Sequence, residues 1–130
     1  MIKTQLLAFA GVLSLVSPAL AAGGDPAAGK TVFQQCAACH AIGPGATNRV
    51  GPVLNGLIGR AAGTAPGYRY SAAMKNSGLT WDEATFTSYI QNPRGMVPGT
   101  KMSFPGLKNP TDAANVLAYI ESFNADGSSK

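Results

Sequence analysis

The sequence predicts a small all-α domain, three to five short helices joined by long loops. Three features predict it. Apolar residues recur at i, i+3, i+4 and i+7 near both ends of the mature chain, the repeat of one helix face. Between them, the 27 residues from Ala41 to Gly67 hold seven Gly and three Pro and follow neither a helical nor a strand period. Nowhere do apolar and polar residues alternate convincingly as in a half-buried strand.

The first segment is set apart from the fold. Lys3 supplies a positive start, Leu6 to Leu20 is almost wholly apolar, and Ser17-Pro18-Ala19-Leu20-Ala21-Ala22 offers small residues for cleavage. This is the pattern of a secretory signal over residues 1–21, cleaved near Ala21. The apolar run falls short of the ~20 residues that span a bilayer, so no stable membrane insertion is expected. What remains, residues 22–130, is one small domain.

Asp25-Pro26 opens a helix with an N-cap carboxylate and a Pro at the first helical position. Gly29, Val32, Phe33 and Cys36 follow on one face, with Cys39 and His40 near it at the C-terminal end. Gly29 costs helix stability, which points to another helix approaching closely there. A short helix is expected over Ser71–Asn76, stopped by Gly78. Thr80-Trp81-Asp82-Glu83 reads as a capping box for a further helix, with Phe86, Tyr89 and Ile90 on one face. Asn92-Pro93 ends it, and Arg94–Asn109 is expected to be coil. A last helix starts at Pro110-Thr111-Asp112 and carries Ala113, Val116, Leu117 and Ile120. The polar tail Asp126–Lys130 is expected to fray.

These helices carry too few apolar residues to close a core alone. A long structureless loop in a compact domain suggests that it wraps something other than protein. Small domains of this kind need a staple.

The candidate lies in Cys36-Ala37-Ala38-Cys39-His40, which holds both cysteines and the only histidine. Export places the thiols in an oxidising compartment, but a disulfide across two residues would constrain little of the unfolded chain. A structural zinc site wants four ligands, and this stretch offers three with no other Cys or His in the chain. A thiol–disulfide oxidoreductase would place Cys-x-x-Cys after a strand, and none precedes it. Cys-x-x-Cys-His is the attachment motif of a c-type haem. Two sulfurs one helical turn apart can bond both vinyl groups of one porphyrin, and the next residue brings an imidazole to the iron.

The sixth ligand sets the chemistry: an open site suits gas binding or peroxidation, and a Met thioether suits electron transfer. Met74, Met96 and Met102 are the methionines after Met1. Position in a loop between helices favours Met102 over Met96 only weakly, and any of them can be an ordinary core filler.

In order, "GDPAAGKTVFQQCAACH", "VGPVLNGLIGRAAGTAPGYRYSAAMKNSGLTW", "YIQNPRGMVPGTKMSFPG" and "NVLAYI" resemble the small soluble class I cytochromes c, mitochondrial and bacterial periplasmic. The resemblance runs from Gly24 to about Phe123. It implies a cytochrome c fold around one covalently bound haem c, attached through Cys36 and Cys39, with the terminal helices crossing at Gly29 beside Phe33 and Tyr119. It assigns His40 and Met102 as iron ligands. It implies that the Pro52 carbonyl accepts the His40 ring N–H, that Arg60, Tyr70 and Trp81 tie down the propionates, and that Tyr89 and Thr100 tune the Met102 side. Without it, Trp81 and Tyr89 would read as core aromatics.

The function implied is single-electron transfer in the periplasm, with no catalytic residue. The partners implied are redox proteins: membrane cytochrome complexes, a reaction centre, or a terminal oxidase or reductase. The protein is expected to be a monomer. A haem peroxidase or gas-binding cytochrome with a labile Met ligand is the alternative. Two departures stand out. Met74 occupies a position where the family often has Asn, and Gln35 and Gln91 thin the ring of cations, leaving Arg94 and Lys101 the clearest. The mature chain carries +3, nine Lys+Arg against six Asp+Glu once Lys3 is removed. That is mild and scattered, a poor match to nucleic acid and a modest bias toward acidic protein partners.

Overall fold

A computed structural model describes residues 23–130 and, before them, residues 8 and 10–12. The expected signal segment and its cleavage point near Ala21 lie, those four residues aside, outside the described residues.

Five α-helices occur among the described residues: α1 (Pro26–Phe33), α2 (Ala72–Lys75), α3 (Glu83–Gln91), α4 (Pro93–Met96) and α5 (Pro110–Glu121). The extended pairing among them is two isolated bridges, Ala61 with Thr80 and Phe123 with Ser129. The all-α expectation therefore holds. Each helix starts on a polar cap: Asp25 Oδ1 accepts from Ala27 N at 2.9 Å, Ser71 Oγ from Met74 N at 3.1 Å, and Asn109 Oδ1 from Thr111 N at 2.9 Å. These bonds satisfy N–H groups that the first turn leaves without partners.

α1 and α5 cross, and the crossing is tight at Gly29. A Cβ there would lie 2.5 Å from the carbonyl carbon of Asn115 and 2.9 Å from Tyr119 Cβ. Phe33 and Tyr119 stack beside it, ring centroids 5.3 Å apart, and Tyr119 continues edge-on to Phe123. α5 buries Ala113, Val116, Leu117 and Ile120, and α3, which buries Phe86, Tyr89 and Ile90, packs on it.

Four local expectations need correction. α1 ends at Phe33, three residues before Cys36, and the chain continues to His40 in looser turns, with His40 N bonded to Cys36 O at 2.9 Å. Asp82, not Thr80, caps α3: its carboxylate takes the Thr85 N–H at 2.7 Å, a stronger acceptor placed closer to the first turn. The stretch after Asn92 is not all coil, because Pro93 starts α4 and the Asn92 side chain caps it on Gly95 N. The tail folds back on α5. Lys130 N donates to Ser122 O and Asn124 N to Ser128 O, both at 2.8 Å, and Gly127 is buried.

Candidate functional site

The helices surround a cleft of about 250 Å³. On the same measure one water needs about 10–15 Å³, so the space suits one large group. Its walls are apolar: Leu54, Leu57, Trp81, Phe86, Ile90, Val116 and Ile120 all reach it. A chain this small does not hold so much apolar surface open to water without a guest.

His40 stands in this cleft, half-buried. Its Nδ1 donates to Pro52 O at 2.7 Å, which leaves Nε2 as the free ring nitrogen. Gly51 is pressed against the ring, where a Cβ would come within 2.7 Å of both nitrogens. Gly51 N in turn donates to Cys39 O at 2.8 Å, and Leu54 N to Ala41 O at 3.1 Å. The loop 41–54 is thus laced to the back of Cys39-His40-Ala41. Burial lowers the imidazole pKa most. The Pro52 carbonyl works against that shift, and the Arg60 charge adds to it. The ring is kept neutral, the form in which it can ligate a metal.

Cys36 and Cys39 also line the cleft, one turn apart, with Cys39 N donating to Cys36 O at 3.0 Å. They are not joined to each other. The Cys36 thiol is pushed up to about 11, chiefly by burial and then by Cys39. A thiol with so high a pKa is a poor nucleophile for disulfide exchange at neutral pH. Among the described residues, no three His, Cys, Asp or Glu side chains converge to hold an ion, so the zinc reading has no ligand set.

The remaining expected residues gather around the same space. Met102 lines the cleft from the loop after α4, and its backbone N–H reaches Thr100 Oγ1 at 3.3 Å. Thr100 Oγ1 also shares a hydrogen bond with Tyr89 Oη at 3.0 Å. Trp81 packs edge-on against Tyr89, ring centroids 5.0 Å apart. Tyr70 Oη accepts from Ala65 N at 2.9 Å and keeps its proton to donate. The Arg60 guanidinium contacts Val53 O through both Nη atoms, at 3.3 and 3.2 Å. Its Nε is buried with no partner. Burial lowers the Arg60 pKa, yet a guanidinium stays charged, so a donor is held ready at the cleft wall.

Met74 is buried in the cleft wall, while Met96 packs against the core outside it. Pro52 also lines the cleft. Sequence reasoning missed Asn48 and Asn55, which lace the loops behind His40. Asn48 Nδ2 donates to Pro66 O at 2.8 Å, and its Oδ1 accepts from Val53 N at 3.0 Å. For Asn55 the available signal was an Asn inside a short apolar run, "VLNGL".

A family model described as "Cytochrome c" matches residues 26–124. The chain belongs to the cytochrome c family. It is 64% identical over 105 residues to cytochrome c2 of Rhodoblastus acidophilus, covering 81% of this chain and 98% of that protein. It is 60% identical over 104 residues to cytochrome c-550 of Bradyrhizobium diazoefficiens, covering 80% of this chain and 76% of that one. Among solved structures it is similar to cytochrome cH from Methylobacterium extorquens, at 45% identity and a TM-score of 0.71 over 75% of this chain and 98% of that one. Cytochrome c2 from Rhodospirillum centenum aligns at 38% identity and a TM-score of 0.75, over 78% and 99%.

The residues of this cytochrome fit the cofactor the family carries, one covalently bound haem c. Two unpaired thiols sit one turn apart on an apolar cleft, next to a neutral imidazole with one nitrogen free. At the wall stands the charged Arg60, whose Nε alone has no partner. The protein is an electron-transfer cytochrome rather than an enzyme, exchanging electrons with redox partners. Among the described residues no helix is long and apolar enough to cross a membrane.

Proposed function

We propose that this cytochrome is a periplasmic carrier of single electrons whose haem iron is held by His40 and Met102. The carrying observation is that both side chains line one apolar cleft, the His40 ring held by Pro52 O and the Met102 backbone N–H by Thr100 Oγ1. The signal segment 1–21 is removed near Ala21 on export, leaving 22–130 as the working domain and a monomer.

Bound in the cleft, the haem supplies a one-electron iron couple, and a thioether ligand raises its potential. The chain binds, orients and excludes water. Cys36 and Cys39 would supply the two covalent links. Pro52 O fixes the His40 tautomer and raises its basicity, as outer partners of metal-bound imidazoles do. Tyr89 and Thr100 hold the loop that presents Met102. In this reading Arg60, Tyr70 and Trp81 would hold the propionates. The orphaned Nε supports this, because a buried donor without a partner is costly.

Charge supports an acidic partner. Residues 26–81 and 84–111 contain no Asp or Glu but hold Lys30, Arg49, Arg60, Arg69, Lys75, Arg94, Lys101 and Lys108. Of the six acids, Asp25 and Asp82 cap α1 and α3, Glu83 and Asp112 begin α3 and α5, Glu121 ends α5, and Asp126 is in the tail. None lines the cleft. A partner with an acidic rim fits this separation, and such an encounter slows as salt rises. Membrane cytochrome complexes, a reaction centre or a terminal oxidase or reductase are the partner classes proposed.

The oxidised protein is expected to show the thioether-to-iron charge-transfer band at neutral pH, and Met102→Ala to abolish it and lower the potential. Absence of the band in the unaltered protein would return the site to a peroxidase or gas-binding reading. A Met102→Ala protein that keeps its low-spin spectrum and potential would move the ligand to Met74, the other thioether in the cleft wall.

A further inference from the structure

Among the described residues Asn55 is the one buried polar side chain, 8% exposed. Both ends of its amide are spent on a single residue. Gly43 N donates to Asn55 Oδ1 at 2.7 Å, and Asn55 Nδ2 donates to Gly43 O at 2.9 Å. Gly43 lies three residues after His40, and Asn55 three residues after Pro52. The clamp therefore closes the base of the loop that carries the His40 hydrogen-bond acceptor.

The C-terminal turn covers the clamp. Gly127 sits so close that a Cβ there would lie 2.7 Å from the Gly43 carbonyl carbon and 2.9 Å from Asn55 Nδ2. Next to it, a Cβ on Gly56 would lie 2.8 Å from Ala125 Cα. The turn is shaped by its own bonds: Gly127 N to Asn124 O at 2.9 Å, Ser128 N to Asp126 Oδ1 at 2.9 Å, and Lys130 N to Ser122 O at 2.8 Å. Gly127 has φ of +87°, which an L side chain rarely adopts.

We infer that Asn55, capped by the turn at Gly127, is a positioning residue that holds the Pro52 carbonyl on the His40 ring. This rests on reading His40 as the iron ligand. A plain loop staple would sit anywhere along a 41–59 loop. This one is buried, uses donor and acceptor together, and joins the segment carrying the imidazole to the segment carrying its acceptor. Buried amide pairs in a dry setting are geometrically demanding, because a small shift leaves two groups without partners. Errors at the clamp are therefore transmitted to the Nδ1–H···O=C bond.

The test uses the haem-loaded protein and two readouts: solvent exchange of the His40 Nδ1 proton by NMR, and the reduction potential. Asn55→Leu removes both clamp bonds at similar volume, and Gly127→Ala strains the cover while leaving Asn55 in place. Asn109→Ala, which removes the α5 cap far from the loop, serves as a control for stability alone. The expected result is exchange at least ~10-fold faster in both test variants, with the potential shifted upward as the imidazole becomes a weaker donor. The control should change neither. If Asn55→Leu does not take up haem, Gly127→Ala carries the test. Variants that unfold more easily but leave exchange and potential unchanged would overturn the inference and make Asn55 a structural residue only. An unaltered protein whose His40 ring shows no hyperfine shift would overturn the ligand reading instead, and this inference with it.

Discussion

Gly29→Ala tests whether the α1–α5 crossing is as tight as it looks. The new Cβ would start 2.5 Å from the Asn115 carbonyl carbon and 2.9 Å from Tyr119 Cβ, and ordinary contact begins near 3.4 Å. The obstacle is backbone, which cannot rotate away, and the Asn115 carbonyl oxygen lies nearer still, so the helices must part by at least about 1 Å. A gap of that size forfeits roughly a quarter to a half of the dispersion well for atoms that faced each other. The Phe33 and Tyr119 rings pack at this crossing, and α5 also buries Ala113, Val116 and Leu117. With about 1.5–3 kcal/mol for each large buried side chain, the loss is about 3–4 kcal/mol. Ala gains back about 1 kcal/mol of helix propensity over Gly. The net expectation is a destabilisation of about 2–3 kcal/mol, or roughly 10–20 °C in a domain this size. Thermal unfolding of the haem-loaded protein measures it. Gly23→Ala, with no atom within 4 Å of its Cβ, is the matched control and should be neutral. An unchanged or raised midpoint for Gly29→Ala would refute the close contact.

Glu121 tests the electrostatics of the back face. Burial, and then a hydrogen bond and the like charge of the neighbouring Glu83 carboxyl, raise its pKa. A carboxyl raised on folding favours the fold below its unfolded pKa of about 4.3, and that support is lost as pH rises through the folded value. Glu121→Gln should therefore raise the unfolding midpoint at pH 7 and do much less at pH 4; an equal gain at both would exclude ionisation as the cause. Thr100→Val should leave the Tyr89 hydroxyl and Met102 N–H without their shared partner, costing about 1–3 kcal/mol. It should also weaken the charge-transfer band at lower pH than in the unaltered protein, as followed by titration of the oxidised form. Asn48→Ala removes the link between Val53 and Pro66 and should cost about 1–2 kcal/mol in denaturant unfolding. An Asn48→Ala midpoint within error of the parent would make that link incidental.

The helices and the haem motif were legible in the sequence because each has a local cause. Asp25-Pro26 and Pro110-Thr111 announce helix starts, and the i, i+3, i+4, i+7 rows announce the faces that α1 and α5 bury. The two thiols and the imidazole are neighbours along the chain, so their chemistry can be read without a fold. The errors fall where competing local signals had to be ranked. Thr80 and Asp82 are both good caps, and only the turn actually formed decides between them. Pro93 both ends α3 and starts α4, and a rule that sees Pro as a stop misses the second role. The tail was misjudged because its anchors are absences of side chain: Gly127 and Gly56 allow backbones to touch at 43 and 125, and nothing polar marks that contact in advance. The expected roles of Arg60, Tyr70, Trp81, Tyr89 and Thr100 came from family resemblance, since no spacing rule links residues that meet only across a cleft.

The loops that form most of the site have few ladder bonds, so their carbonyls need other donors. Cationic side chains supply several. Arg49 donates to Ala37 O, Arg60 to Val53 O, Lys101 to Arg69 O, and Lys108 to Gln91 O and Pro105 O. Three of these bonds tie together segments twelve or more residues apart, Arg60 spans seven, and at Pro105 the bond joins the two ends of one turn. All four cations lie in the acid-free stretches proposed to meet partners, and Arg60 and Lys101 also line the cleft. Lys101 and Arg49 therefore have two jobs, one structural and one electrostatic. Neutralising either to Ala confounds them, because a slower electron exchange could come from a loosened loop. Lys101→Gln keeps an amide donor on a side chain one bond shorter while deleting the charge. If partner encounter is steered by charge, Lys101→Gln should slow the reaction at low salt and converge with the parent at high salt, where the Debye length shrinks to about 3 Å. Lys101→Ala should stay slower at both. Equal deficits for the two variants at every salt concentration would mean that Lys101 acts only as a staple.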